Sequence, residues 1–178
     1  MPASQTDMTN RAIQAGVLTW ILPGAGHFFL GHRKLAIVFF VAITFPFLTG
    51  LAVGGIVNSV NPRTNQWLFL AEMGVGGYTV PGYLVTQKIE RGILDELGFK
   101  AIPLDDPHGH SAEYHAWVNA RAKYVGYYPQ SDVATIYLAT AGLLNILAIL
   151  DATSRAQTGG LPTFHRHLEP TTEPEGDA

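Results

Sequence analysis

Apolar and polar positions divide the chain into four long runs almost free of charge, separated by polar segments of unequal length. Ala12 to Leu30, Leu35 to Val60 and Val133 to Leu150 contain no Asp, Glu, Lys or Arg, and Trp67 to Gln87 contains only Glu72. At a helical rise of about 1.5 Å per residue, each run approaches or exceeds a hydrocarbon core of roughly 30 Å. The pattern predicts an all-α integral membrane protein with about four transmembrane helices and one or two amphipathic surface helices. The spans are expected at about 12–30, 35–60, 67–87 and 133–150, inside a membrane domain of residues 12–152. Residues 1–11 read as a polar N-terminus. Residues 153–178, rich in Thr, Glu, Pro and Gly, read as a disordered tail.

The polar middle region, 88–132, carries its own periodicity. Ile89, Ile93, Leu94 and Leu97 recur on one helical face, and Gly98 is a helix stop. This predicts an amphipathic continuation of the third span. Ser111 is placed to cap a second surface helix from about Ala112 to Val125, with Tyr114, Trp117 and Val118 on one face. Pro46 should kink the second span. Gly50 with Gly54, and Thr135 with Ala139, have the spacing that lets helices approach closely.

The stretch from Leu22 to Lys34 joins the first two runs. Pro23, Gly24 and Gly26 interrupt the helix pattern, Phe28, Phe29 and Leu30 restore apolar character, and Gly31 precedes His32-Arg33-Lys34. An apolar span, a tight basic turn and a second span make a helical hairpin. A signal peptide fits less well, because the prefix is weakly basic and no small-x-small cleavage site follows Leu30. Arg33, Lys34, Lys88, Arg91, Lys100, Arg121 and Lys123 fall on one side of a four-span chain, and Arg11, Arg63 and Arg155 on the other. The excess predicts a cytoplasmic basic turn and middle region, with both termini outside.

Composition sharpens the class. Charged residues are 14% of the chain against a usual share of about 25%, and hydrophobic residues are 47%. A net charge of −3 with no dense basic patch argues against nucleic acid as a partner. The absence of cysteine excludes disulfides, thiolate zinc sites and cysteine nucleophiles. The expected partners are the lipid bilayer and either further copies of the chain or other membrane proteins. The expected location is a bacterial inner membrane.

Candidate chemistry is sparse. His108, His110 and His115, with Glu113 and Asp105-Asp106, are weak metal-ligand candidates whose spacing matches no zinc motif. Glu72 is an ionisable group inside a span, and such groups face protein or water. It could pair with Arg63 or point into the bundle. Asn145 suits an interhelical hydrogen bond, with Asp151 just beyond. Gly74-x-Gly76-Gly77 lies inside an apolar run and lacks the strand that a phosphate loop requires. No cofactor is expected. The sequence supports a non-enzymatic structural or interaction role first, a transporter or channel-like subunit using Glu72 second, and a membrane-bound metal-dependent enzyme third.

Gly24-Ala25-Gly26-His27-Phe28-Phe29-Leu30-Gly31 resembles the hairpin of the two-helix transmembrane domain family. Phe28, Leu30 and Gly31 match that family's pattern, while Phe29 replaces a tyrosine and His27 an arginine. Leu22 to Phe28, taken with Ala141 to Asn145, Asp151 and Ala152, is similar to a bacterial family of uncharacterised multi-pass membrane proteins. That likeness runs from about Ala12 to Ala152. It implies membrane location and a helical hairpin core, and it implies no activity.

Overall fold

The computed structural model describes residues 5–63, 66–103, 111–124 and 132–158, and every regular element among them is helical. In order these are α1 (Gln5–Ile21), α2 (Ala25–Phe29), α3 (Arg33–Gly54), α4 (Ile56–Ser59), α5 (Gln66–Glu72), a 3-10 turn (Met73–Val75), α6 (Gly76–Leu97), α7 (Ala112–Ala122) and α8 (Asp132–Thr158). At about 1.5 Å per residue, α8 is roughly 40 Å long. It is the axis on which α1, α3 and α5 pack.

Contacts along α8 give the direction of each neighbour. Ala12 and Ala15 of α1 cluster with Ala152 and Ala156, and Thr19 meets Asn145. Gly50 and Gly54 of α3 face Leu138 and Ala134, near the other end of α8. Both α1 and α3 are therefore antiparallel to α8 and parallel to each other. The expected hairpin of two antiparallel spans is replaced by a different path. The chain enters along α1, turns at Leu22–Gly24 and returns along the short α2. It runs the length of the bundle only as α3. Gly24 permits the turn, with φ +81° and a backbone packed against the Ala36 carbonyl, where a side chain would collide. Gly26 lies against Ala15 and Thr19, so α2 folds back onto α1 itself. The first helix accordingly spans Gln5–Ile21 rather than 12–30.

The expected third span divides in the same way. Residues 66–75 rise from the Gly54 end of α3 until Gly74 touches Gly142 and Ile146. The backbone turns at Val75 and α6 descends. Phe69 packs on Tyr83, Thr79 Oγ1 donates to the Glu72 carbonyl, and Thr86 Oγ1 donates to the Ile56 carbonyl (3.0 Å). Residues 67–87 thus form a hairpin, and Lys88 emerges at the same end of the bundle as Arg63. The physical reason is again close approach, because the turn carries three glycines where it meets Trp20, Ile21 and Gly142.

Two helices, Arg33–Gly54 and Val133–Thr158, are long and apolar enough to cross a membrane, with mean hydropathies of 2.4 and 2.1. Only 22% and 33% of their most apolar stretches are buried, so most of that apolar surface faces outward. Ile37, Val41, Phe45, Ile136, Leu143 and Leu147 are all exposed. The buried core, built on Ile43, Phe47, Val75 and Leu138, is small by comparison. Pro46 lies inside α3.

Gly98 ends α6 as expected, with φ +71° and the Phe99 N–H returning to the Leu94 carbonyl. Ser111 caps α7, its hydroxyl accepting from the Tyr114 N–H (3.3 Å). α8 continues through Thr158, beyond the expected start of the tail at 153, because Ala152 and Ala156 are packed on α1 and Arg155 pairs with Asp151 one turn back. Residues 159–178 lie outside the described part of the chain.

Candidate functional site

Two arms, α1–α2 and α5–α6, enter the bundle from opposite ends and meet at its centre. Asn145, the middle residue of α8, joins them. Its amide donates to the Thr19 carbonyl at 3.1 Å and to the Gly74 carbonyl at 2.7 Å. Trp20 Nε1 donates to the Met73 carbonyl at 2.8 Å. A helix end leaves carbonyls without intrahelical partners, and a break inside an apolar bundle must find donors for them. Here one amide and one indole supply those donors.

Glu72 sits at the end of α5 beside this junction and is fully buried. Neither carboxyl oxygen has a hydrogen-bond partner among the described residues, nor does Asn145 Oδ1. The pairing of Glu72 with Arg63 does not occur, because Arg63 Nη1 donates to Glu90 Oε2 at 3.2 Å instead. The divided third span explains this. Arg63 lies at the foot of the second arm with Glu90, while Glu72 lies near its tip.

A second cluster fastens the first arm to α8. His27, fully buried, meets Asp151 Oδ2 at 2.9 Å through Nε2 and stacks on Phe39 at 4.6 Å. Arg155 Nε donates to the same oxygen at 2.6 Å. These contacts tie the α2 turn to α8. Arg33, at the start of α3, lies over the Phe28 ring (5.8 Å), and Gly31 takes φ +88° in the turn between α2 and α3. Pro23 stands in the turn that ends α1.

The third cluster surrounds Glu90. Asn61 Nδ2 donates to Glu90 Oε1 at 2.7 Å, and Arg121 Nη2 reaches from α7 to the Val57 carbonyl at 3.1 Å. Burial pulls the Arg121 guanidinium below its ordinary value, and nearby Glu90 pulls it back up. Glu90 was not among the candidate residues read from the sequence. The usable signal was the spacing Thr79, Thr86, Glu90, Ile93, which repeats at helical intervals and is the face that is buried. Trp20 and Thr19 were also missed, because hydrogen bonds between distant helix ends have no local pattern.

His115 lies on α7 with its ring near Tyr114 (6.2 Å), while His108 and His110 lie outside the described residues. Among the described residues, no three His, Asp or Glu side chains group as metal ligands.

A family described as "Family of unknown function (DUF6677)" matches residues 14–161. No curated protein and no solved structure matches the chain.

Proposed function

We propose, for a chain that belongs to this family of unknown function, the role of a non-enzymatic structural or interaction component embedded in a membrane. Two helices, α3 and α8, cross the bilayer, and the arms α1–α2 and α5–α6 reach its middle from opposite faces. In effect the four expected spans become two spans and two half-insertions. The partners are the lipid bilayer and either copies of this chain or other membrane proteins, with no nucleic acid. The location is the inner membrane of a bacterium.

The observation that carries this reading is the outward-facing apolar surface of α3 and α8. A soluble core helix hides its apolar face, whereas these leave most of theirs uncovered. Lipid is the solvent that removes that cost. The structural role is supported by how the buried polar groups are used, since Asn145, Trp20, His27 and Asp151 each tie one helix to another. In cell membranes the full chain is expected to stay in the pellet after alkaline carbonate and to be released only by detergent. Release by carbonate would refute the membrane reading.

A second reading, a proton-coupled transporter or channel-like subunit, is favoured by Glu72, buried without a partner near the meeting point of the two arms. Broken helices that converge at the membrane midplane are a recurrent setting for transport sites. Under this reading, proteoliposomes should show proton uptake under an imposed potential, and Glu72→Gln should abolish it without altering the melting temperature. Uptake no greater than in empty liposomes would dismiss transport and leave the structural role.

A further inference from the structure

Around Glu90 the second arm leaves the bundle, and a cavity of about 810 Å³ opens between α6 and the segment 100–103. Its polar wall carries Arg63, Gln87, Arg91 and Lys100, and its apolar wall carries Leu94 and Ile102. The carboxylate on this wall, Glu90, is already engaged. It accepts from Asn61 and from Arg63, and Arg121 approaches to 4.0 Å from the far side. Arg91 and Lys100, both exposed, have no ion pair among the described residues. With Arg63 spent on Glu90, Arg91 and Lys100 leave the described lining of the cavity positive, beside an apolar ledge.

The depth of the cavity matters as much as its charge. It adjoins Asn61, just beyond the last turn of α4 and past the Gly54 end of α3, where the apolar belt of the bundle stops. Trp67, 80% exposed, stands near the same end at the foot of α5. Tryptophan favours the headgroup layer. A positive cavity between apolar residues at that depth has the chemistry of a phosphate receptor. Guanidinium groups bind phosphate through paired, charge-assisted hydrogen bonds. Basic pockets of this kind hold anionic headgroups.

We propose that this cavity binds a phosphate group, with Arg91 and Lys100 as its main ligands, supplied by an anionic lipid headgroup or by free phosphate. The lipid source rests on the membrane reading above; the free-anion source does not. The full chain in mild detergent should be titrated with phosphatidylglycerol, with phosphatidylcholine and with inorganic phosphate. Affinity and melting temperature are both followed.

Phosphatidylglycerol, but not phosphatidylcholine, should raise the melting temperature. The double variant R91Q/K100Q should weaken that binding at least about tenfold, since charged hydrogen bonds are lost. Its melting temperature in phosphatidylcholine should match the parent, because both side chains are exposed. R11Q/K34Q removes the same charge at the opposite end of the bundle, from two exposed positions, and should bind as the parent does. A response to inorganic phosphate that R91Q/K100Q removes identifies a free anion. A response to lipid alone identifies a headgroup. No response to either, or an equal loss in R11Q/K34Q, overturns the proposal. Release of the chain by carbonate would remove the lipid source and leave the phosphate titration intact as a test.

Discussion

Single cysteines placed at positions 7, 34 and 157 are expected to react with an impermeant maleimide from one face of the membrane, and a cysteine at 95 only from the other. The native chain has no cysteine to interfere. All four positions are exposed. The expectation follows from chain direction. α1 and α3 run the same way against α8, so Asp7, Lys34 and Gln157 gather at one end of the bundle. α6 descends to the opposite end, which brings Asp95 there with Arg63 and Arg121. A conventional four-span chain would place Lys34 with Asp95 and against Asp7. The response at position 34 therefore reverses between the two topologies, an all-or-none difference. Labelling of 34 together with 95 would reject the half-inserted first arm. Among the described residues the same geometry nearly balances the basic charges. Arg11, Arg33, Lys34 and Arg155 stand at one end and Arg63, Lys88, Arg91, Lys100, Arg121 and Lys123 at the other. The positive-inside rule thus favours a cytoplasmic 88–124 by a small margin.

Gly77→Ala should be the most destabilising small substitution in the bundle. A Cβ at this position would fall on the carbonyl oxygen of Ile21, at the tip of the opposite arm. That oxygen is backbone and cannot rotate away, so the arms must part, which would disturb the bonds from Trp20 to Met73 and from Asn145 to Thr19 and Gly74. Overpacking in a close-packed core costs about 1–3 kcal/mol, and occasionally more. The loss here is expected at or above the upper end. Gly92→Ala supplies the contrast within the same helix. Its Cβ would meet nothing within 4 Å, and alanine should raise stability by about 0.5–1 kcal/mol. Equal unfolding midpoints for Gly77→Ala and the parent, measured by thermal or denaturant melting in detergent, would show that the arms do not touch.

Helical character was legible in the sequence, whereas the bounds of the first and third helices and the directions of the arms were not. Hydrophobic runs mark where helices can form, and Ser111 and Gly98 mark ends, because caps are local chemistry. Whether an apolar run crosses or turns back is decided by contacts more than 50 residues away, such as Trp20 with Met73. Glycine content was the available clue. Gly24 and Gly26 in the first run, and Gly74, Gly76 and Gly77 in the third, stand at the two tips of the arms. They read as interruptions of spans, whereas they are where the backbone reverses and meets another backbone. Of the candidate residues, His27 and Asp151, 124 positions apart, share one hydrogen bond, and Asn145 occupies the junction. Their types suggested interhelical bonding, but their partners depended on the fold-back.

Because α8 is the last of the described helices, a ribosome makes the axis of the bundle after the arms and α3 that pack on it. Until Asn145 emerges, the Thr19 and Gly74 carbonyls lack the amide that later holds them. Until Asp151 emerges, the His27 imidazole lacks its carboxylate. The first arm must therefore wait through the synthesis of 126 residues from Thr19, and the second through 71 from Gly74. Assembly of the described bundle thus waits for α8. A nascent chain halted before α8 exposes unfinished helix ends, the feature by which quality-control proteases could tell an incomplete molecule from a finished one.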